Sequence, residues 1–346
     1  MKRKNILITG GAGFIGSNFT RYLYEKYPNY RLIILDALTY AGNTENLPIE
    51  VKSLHNDRFS FWHGNVRNGE LIDTLISQSD IVVHFAAETH VTRSVFDNFL
   101  FFETDVLGTQ TVANAIAKYK DKIELFIHIS TSEVYGTAQK EKMDENHPLL
   151  PCSPYASAKA GADRLVYSYW ATYDIPAVIV RPFNTYGPCQ HLEKAIPRFV
   201  TGCILNEDLR VHGDGSAARD YVFVEDVCRA LDTIMHADIK KIKGEVFNVA
   251  SGMHRSILSI AKDIVRLMGK DDSLIKFVGE RPGQVFRHTG DIEKIKKELG
   301  WKPKVSWEEG LKRTIQWYKG NRPWWEKQLW MREIPIITKN GKRELH

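Results

Sequence analysis

Cysteine is scarce in this sequence, and its few copies form no recognisable framework. The 346 residues contain four cysteines, and none belongs to a CxxC pair or has histidine partners at zinc-finger spacing. Their positions are Cys152, Cys189, Cys203 and Cys228. The pattern excludes a disulfide scaffold and a structural zinc site. Free thiols are typical of a reducing compartment, so we predict a cytoplasmic protein with no bound metal.

Long apolar runs and blocks of one charge are also missing. No stretch of about 18 apolar residues occurs, so no membrane-spanning helix is predicted. Glycines interrupt the basic and apolar start of the chain, which is therefore unlike a signal peptide. The formal net charge is only +5, from 47 basic and 42 acidic residues, and no basic block stands out. We therefore expect no nucleic-acid partner.

What the sequence does contain is a regular alternation of short apolar runs and longer amphipathic segments. It begins with a strand at 5–9, a helix at 15–26 and a strand at 31–35, which together form a βαβ unit. Further strands are predicted at 81–85, 125–129 and 177–180. These runs are apolar on both faces, as in buried parallel sheets. We predict an α/β protein with a Rossmann-type, doubly wound parallel sheet.

The pattern of the sequence changes after about residue 181, where prolines and glycines separate shorter segments. We predict an NAD-binding domain over 1–181, to which segments from about 220–250 return. A smaller, mixed substrate-binding lobe is expected over 182–320, followed by a Trp-rich extension over 321–346.

A glycine pattern connects the first strand to the first helix. Gly10, Gly13 and Gly16 form GxxGxxG, which gives the turn backbone freedom and lets a pyrophosphate approach the helix N-terminus. Phe14 and Ile15 lie within the same turn, so we expect them to contact the cofactor too. Glycine also serves ordinary tight turns, but the position between strand and helix favours a dinucleotide site.

One feature favours NAD as the dinucleotide, and a second would line its cleft. Asp36 ends the second strand, where a carboxylate accepts hydrogen bonds from ribose hydroxyls and repels the 2′-phosphate of NADP. The alternative is that Asp36 only caps a turn. Ala86 and Ala87 follow the strand at 81–85 and would line the cofactor cleft, although close packing explains small residues there almost as well.

The candidate chemical groups lie downstream. Tyr155 and Lys159 are four residues apart, which places a phenol and an ammonium on one helix face. The ammonium would lower the pKa of the tyrosine and allow it to take a hydroxyl proton. Thr131 and Glu133 follow the strand at 125–129, at the edge of the sheet where ligands bind. Glu133 suits proton abstraction beside a ketone, or else it is a helix N-terminal acid.

Several motifs together resemble the extended short-chain dehydrogenase/reductase family, and within it the sugar-nucleotide 4,6-dehydratases of the dTDP-glucose type. The likeness covers roughly residues 4–318. The motifs are DALTYAGN at 36–43, AAETHVTRS at 86–94, SPYASAK at 153–159, NTYGP at 184–188, EK at 193–194 and RPG at 281–283. The resemblance implies oxidation of a nucleotide-linked hexose at C4, loss of water across C5 and C6, and return of hydride to C6.

The resemblance also implies roles for individual residues. Tyr155, supported by Thr131 and Lys159, would take the O4 proton, and Glu133 would take the C5 proton. Additional cofactor contacts are expected at Asn65 and Val66. Substrate contacts are expected at His90, Asn184, Glu193, Lys194, Arg219, Asn248 and Arg281. A homodimer built on the helices at 102–118 and 155–172 is implied as well.

The sequence departs from the dTDP-glucose pattern at important positions. Ser132 stands where those enzymes carry the aspartate of Thr-Asp-Glu, and Asn65 replaces an aspartate near adenine. Serine is a poor acid, so Glu133 would act as both base and acid. GDP-mannose dehydratases and UDP-glucuronate decarboxylases are similar in carrying Thr-Ser-Glu. The nucleobase therefore stays open, and a decarboxylase, a 4-epimerase and a non-catalytic cofactor sensor remain alternatives.

Overall fold

The computed structural model describes residues 3–49, 53, 55–279 and 285–332, and the backbone of 335–337 and 343–345. The strands are β1 (Lys4–Thr9), β2 (Tyr30–Asp36), β3 (His55–Asn56), β4 (Phe59–His63), β5 (Ile81–His84), β6 (Leu125–Ile129), β7 (Ala177–Pro182), β8 (Asn184–Tyr186), β9 (Leu209–His212), β10 (Ala218–Phe223), β11 (Val246–Val249), β12 (His254–Ser256), β13 (Ile275–Val278), β14 (Pro335–Ile337) and β15 (Arg343–Leu345).

The α-helices are α1 (Phe14–Lys26), α2 (Gly69–Ser77), α3 (Val91–Phe96), α4 (Phe99–Phe101), α5 (Thr109–Lys118), α6 (Pro154–Tyr173), α7 (Ala195–Leu205), α8 (Val224–Met235), α9 (Ile239–Ile242), α10 (Ile257–Met268), α11 (Glu293–Leu299), α12 (Trp307–Gly320) and α13 (Arg322–Glu326). Within the described residues, no helix has the length and apolar character needed to cross a membrane.

Eight strands form one large sheet in the order β11-β7-β6-β5-β1-β2-β4-β3. Neighbouring strands are parallel except at the β3–β4 edge. The chain builds outwards from β1 in one direction through β2 and in the other from β5. The carboxyl ends of β1 and β5 therefore flank a topological switch point, where such sheets form a ligand crevice.

Apolar side chains on both faces of the sheet explain why helices cover it. One core packs strand residues such as Ile6 and Ile8 with Phe19 of α1 and Leu231 of α8. The opposite core includes residues of α2, α5 and α6, for example Val112. Burial of this kind stabilises a parallel sheet that water would otherwise reach.

The helix predicted over 102–118 is interrupted in the structure. Residues Phe102–Gly108 form a π-helical turn before α5 begins. A π turn inserts one extra residue, which changes the faces that its side chains present. Here the turn contains Asp105, which is completely buried and accepts a hydrogen bond from the Glu88 amide at 2.8 Å.

The start of the Trp-rich extension is part of the packed structure. Trp325 is completely buried, and its Nε1 donates to the Tyr318 carbonyl at 2.7 Å. Trp324 Nε1 donates to Asn46 Oδ1 at 2.8 Å, and Lys327 pairs with Glu45 at 2.6 Å. This segment therefore joins α12 to the loop after β2.

Candidate active site

A cleft of about 460 Å³ opens at the carboxyl ends of β1, β2, β5 and β6, a volume typical of small-molecule sites. Every predicted cofactor residue lines it: Gly10, Gly13, Phe14, Ile15, Gly16, Asp36, Asn65, Val66, Ala86, Ala87, Tyr155 and Lys159. The same cleft is lined by Thr131, Ser132, Glu133, His90, Asn184, Glu193, Lys194 and Arg219. The fold thus brings together residues up to about two hundred positions apart in the sequence.

The glycine turn leaves no room for side chains. Gly10 has φ of +68°, and a Cβ there would lie 2.6 Å from the Ala86 amide nitrogen. A Cβ on Gly16 would overlap the Gly10 carbonyl oxygen. α1 then begins at Phe14 after Gly13, which supplies no side-chain cap. The first amides of α1 therefore remain available to an anion, as a bound pyrophosphate requires.

Gly16→Ala tests this turn. Because the new methyl group collides with the Gly10 carbonyl, the turn must open, and we expect the amount of NAD that co-purifies with the protein to fall by at least about tenfold. Gly69→Ala is the matched control, since nothing lies within 4 Å of a Cβ at that position. The cofactor content is measured by absorbance and mass spectrometry after denaturation. Equal NAD content in both variants would contradict the interpretation.

Asp36 fixes the turns around it and also lines the cleft. Its Oδ2 accepts from the Ala12 amide at 2.9 Å and its Oδ1 from the Leu38 amide at 2.8 Å, so it fixes the turns around it. Burial raises the pKa of this carboxyl, and the backbone hydrogen bonds oppose that rise. Its role toward the ribose of a dinucleotide stays a prediction.

Tyr155 and Lys159 lie on the first turns of α6. The helix is capped by Ser153, whose Oγ accepts from the Ala156 amide at 3.1 Å. Lys159 is buried and donates from Nζ to the Ile129 carbonyl at 2.7 Å, which anchors α6 to the end of β6. Burial lowers the pKa of Lys159.

The pKa of Tyr155 differs from the sequence expectation. It is raised rather than lowered, first by burial and then by the carboxylate of Asp105, while a hydrogen bond with Thr131 acts in the opposite direction. Burial also raises the pKa of Asp105 to about 7, and Lys159 opposes that rise. Asp105 is a site residue that sequence reasoning missed, because the π turn that directs it inwards leaves no signal in the hydrophobic pattern.

The Thr131-Ser132-Glu133 segment forms a tight turn after β6. Thr131 Oγ1 accepts from the Glu133 amide at 3.2 Å. The Glu133 carboxylate lies 3.8 Å from Arg219 Nε and 3.8 Å from His288 Nδ1. Ser132 is buried, and its Oγ lies 3.5 Å from the same histidine nitrogen. His288 is a second residue that the sequence analysis did not single out.

Glu193 is the centre of a buried polar cluster in the cleft wall. Its Oε1 accepts from Tyr40 at 3.0 Å and lies 3.0 Å from Lys194 Nζ, and its Oε2 lies 3.2 Å from His90 Nε2. Burial would raise the pKa of Glu193, but Lys194, His90 and His191 outweigh burial and lower it. Burial lowers the pKa of His90 to about 4. Three predicted substrate residues therefore hold one another in place at the cleft.

The remaining predicted substrate residues have different placements. Arg219 is largely buried at the cleft and donates to the carbonyls of Ala218 and Val285. Asn248 does not line the cleft: it is completely buried, its Oδ1 accepts from Tyr135, and its amide donates to a backbone carbonyl. These contacts favour a structural role for Asn248. Arg281 lies outside the described residues.

Further basic side chains line the same cleft without having been predicted: Arg198, Arg210, His212 and Arg332. Arg332 belongs to the Trp-rich extension and pairs with Glu207 at 2.6 Å. Isolated arginines carry no sequence signal, and only the folded chain shows that these share one wall. Among the described residues, no group of three or more histidine, cysteine or acidic side chains is arranged to hold a metal.

Comparison with known proteins gives similarity over almost the whole chain. A protein called low-salt glycan biosynthesis protein Agl12, from Haloferax volcanii, is 43% identical over 318 residues, which is 92% of this chain and 99% of that protein. A trifunctional UDP-glucose 4,6-dehydratase/UDP-4-keto-6-deoxy-D-glucose 3,5-epimerase/UDP-4-keto-L-rhamnose-reductase of Arabidopsis thaliana is 40% identical over 330 residues. That match covers 94% of this chain but 48% of the plant protein, so the chain spans about half the length of that relative.

The fold is also similar to that of a solved enzyme. The dTDP-glucose 4,6-dehydratase DesIV of Streptomyces venezuelae, crystallised with NAD and TYD, superposes with a TM-score of 0.87 at 39% identity, covering 93% of this chain and 99% of that chain. The match confirms the predicted Rossmann-type α/β fold and the resemblance to sugar-nucleotide 4,6-dehydratases. The family model described as GDP-mannose 4,6 dehydratase matches residues 7–314. This chain therefore belongs to the GDP-mannose 4,6 dehydratase family.

Proposed function

We propose that this protein dehydrates a nucleoside-diphosphate hexose to its 4-keto-6-deoxy derivative, with dTDP-glucose as the leading substrate and UDP-glucose as its nearest competitor. The observation that carries the proposal is the presence of Tyr155, Thr131 and Glu133 in the same cleft as a dinucleotide-binding turn. Alcohol oxidation alone needs the first two groups. A carboxylate beside them serves a second proton transfer, next to the ketone that oxidation creates.

The residues of the cleft fit NAD. The glycine turn and the open start of α1 would hold its pyrophosphate, and Asp36 its adenosine ribose. When bound there, NAD would supply a hydride acceptor for the oxidation and a hydride donor later in the same turnover. Because this exchange leaves no net oxidation, a tightly held cofactor suffices.

The first proton transfer belongs to Tyr155. Its hydroxyl is hydrogen-bonded to Thr131, so the two groups can hold the O4 hydroxyl of the sugar between them. As C4 is oxidised, the O4 proton passes to the Tyr155 oxygen. This transfer requires the phenolate form of Tyr155, and Lys159 is a buried cation on the same helix that is anchored to the Ile129 carbonyl.

The second proton transfer belongs to Glu133. A C4 ketone acidifies the C5 hydrogen, and the Glu133 carboxylate removes it. The C6 hydroxyl then leaves as water after receiving a proton. The Arg219 guanidinium lies 3.8 Å from the Glu133 carboxylate, and a base at C5 requires that carboxylate form.

The cations on the substrate side of the cleft support a doubly charged ligand. Lys194 and Arg219 match the positions expected for the diphosphate, and Arg198, Arg210 and Arg332 add positive charge to the same wall. Guanidinium groups suit phosphate oxygens because they donate two parallel hydrogen bonds. We infer that Asn184 assists them; the role of Arg281 stays a prediction.

The proposal is tested by incubating the purified protein, without added NAD, with dTDP-glucose, UDP-glucose, GDP-mannose and UDP-glucuronate in parallel. Mass spectrometry should show loss of one water from a hexose substrate. Loss of carbon dioxide from the glucuronate would instead indicate a decarboxylase. No change of mass with any substrate, but inversion at C4 by NMR, would indicate an epimerase. No reaction at all would overturn the proposal.

We also infer that the protein is a cytoplasmic homodimer, with the cofactor and substrate parts divided near residue 181. The support for a dimer is a set of exposed apolar residues on elements that contact one another. They include Val95, Phe96, Phe99, Phe102, Leu107, Tyr167 and Tyr173, all on or beside α3, α4, α6 and the π turn. A second copy of the same face would cover it, as an isologous helical interface does.

Phe99→Lys should separate the dimer. Phe99 is 70% exposed in the single chain, so a lysine there costs little in the monomer but places a charge within the interface. Sedimentation should show a shift from dimer to monomer. Phe277→Lys, at a residue 58% exposed on β13, is the control and should leave the mass unchanged. A wild-type protein that sediments as a monomer would overturn the inference.

A further inference from the structure

His288 lies directly behind the residues that follow β6, and it is completely buried. Its Nε2 is 2.5 Å from the carbonyl oxygen of Gly136. A carbonyl oxygen only accepts hydrogen bonds, so Nε2 must carry a hydrogen. Any further proton on this ring is therefore bound or released at Nδ1.

Nδ1 faces the Thr131-Ser132-Glu133 turn. It lies 3.8 Å from Glu133 Oε1 and 3.5 Å from Ser132 Oγ. The other charged or titratable groups around the ring are Arg219 and His147, and the ring of Phe183 packs edge-on against it at 6.3 Å between centroids. Among these neighbours, Glu133 lines the cleft and carries the carboxylate that can exchange a proton with Nδ1.

Burial lowers the pKa of His288; the Glu133 carboxylate raises it, and Arg219 and His147 lower it further. A diphosphate bound against Arg219 would offset the cation that opposes protonation. Glu133 and His288 together form a net neutral pair when they share one proton. Burying such a neutral pair requires less desolvation free energy than burying an isolated carboxylate.

The proposed dehydration needs such a stored proton. The sugar loses two protons, one from O4 to Tyr155 and one from C5 to Glu133. Two protons must be supplied in return, one to the departing C6 hydroxyl and one to C5 after hydride has returned to C6. Glu133 can supply only the proton that it has just received. In enzymes with Thr-Asp-Glu the aspartate is a second carrier, but Ser132 at this position is not an acid near neutral pH.

We propose that His288 is the second proton carrier of this site and acts through Glu133, in place of an acid at position 132. The inference rests on the proposed dehydratase function. His288 does not line the cleft, so it is a positioning and proton-holding residue rather than one that contacts the sugar.

The proton transfers balance as follows. The pair begins with one proton on His288 Nδ1 and a free Glu133 carboxylate. Glu133 takes the C5 proton and gives it to the C6 hydroxyl, which leaves as water. Glu133 then takes the proton from His288 Nδ1 and delivers it to C5 as hydride reaches C6. Tyr155 releases the proton from O4 to solvent when the product leaves. His288 takes up one proton from solvent, so the net number of protons does not change.

His288→Gln is the main test, because glutamine retains an N–H donor for Gly136 but cannot hold the proton. We expect kcat to fall by about a hundredfold with KM unchanged. A sugar that has lost water and two further hydrogens, the unsaturated ketone, should accumulate in a rapidly quenched single turnover. In the wild type, kcat should fall as pH rises through the pKa of the pair, and this limb should vanish in the variant.

Ser132→Asp supplies the rescue. An acid at position 132 should restore kcat to His288→Gln and should also extend the activity of the otherwise wild-type protein to higher pH. The second expectation can be tested even if His288→Gln does not fold. His254→Gln is the matched control, since His254 bonds to Thr289 beside His288 but lies outside the cleft lining. It should change none of these measurements.

The outcomes separate this inference from the proposed function. If the wild-type protein dehydrates no nucleotide-linked hexose, the proposed function itself is wrong. A wild-type protein that dehydrates its substrate, together with a His288→Gln variant that accumulates no unsaturated sugar and keeps the same pH limb, overturns the role of His288 alone. If Ser132→Asp leaves the alkaline limb where it is, the inference is also overturned.

Discussion

Replacement of Tyr155 by phenylalanine is expected to lower kcat by about three orders of magnitude while leaving the bound NAD in place. We expect the phenolate oxygen of Tyr155 to receive the O4 proton, and phenylalanine has no oxygen that can take it. The ring itself remains packed edge-on against Phe101 at 6.2 Å between centroids, so the fold should not change. Activity is measured by product mass, and cofactor content by release from the denatured protein.

Tyr167→Phe controls for the loss of a hydroxyl from α6, because Tyr167 lies on the same helix and is 42% exposed. Its kcat should match the wild type. If Tyr155→Phe retains activity within about tenfold of the wild type, the O4 proton must go to another acceptor, such as water held by Thr131.

Glu133→Gln should stop the reaction after oxidation. C4 can still be oxidised because Tyr155 is intact, but the amide cannot remove the C5 proton. We expect turnover to fall by about a thousandfold and a sugar that has lost two hydrogens, but no water, to accumulate on the enzyme. Rapid quenching and mass spectrometry distinguish this ketone from the unsaturated ketone expected for His288→Gln.

Glu141→Gln provides the control for removal of one negative charge, since Glu141 is an exposed glutamate in the segment that follows β6. It should leave turnover unchanged. Formation of the dehydrated product by Glu133→Gln at near the wild-type rate would show that a different base acts at C5, and the proposed assignment of Glu133 would be wrong.

The sequence was sufficient where the physical signal is local. The strand predicted at 125–129 has the same bounds in the structure, and the first helix begins one residue earlier than predicted. Apolar periodicity and glycine spacing determine these elements, because neighbouring residues alone decide which faces are buried. The same applies to the cofactor turn, whose three glycines are required within seven residues.

Features that depend on distant contacts were missed. Ser132 and His288 are 156 positions apart, and nothing in either neighbourhood indicates that they meet. The inward direction of Asp105 could not be predicted, because its segment has the pattern of an ordinary helix. A π turn preserves the apolar composition while it changes the direction of the side chains. Asn248 shows the opposite case, in which a residue implied by resemblance is held in the interior by Tyr135.

The packing of Trp324 against Asn46 has a consequence for the order in which the protein matures during synthesis. The loop after β2 is made early, but one wall beside it comes from a segment made almost three hundred residues later. Domains generally begin to fold from the N-terminus as the ribosome proceeds. The nascent chain can therefore assemble its first strands and the glycine turn, yet the cleft stays open on this side until residues 324–332 emerge. Stable retention of NAD should accordingly be a late event, and ribosome-bound chains that stop before Trp324 should exchange the cofactor faster than longer ones.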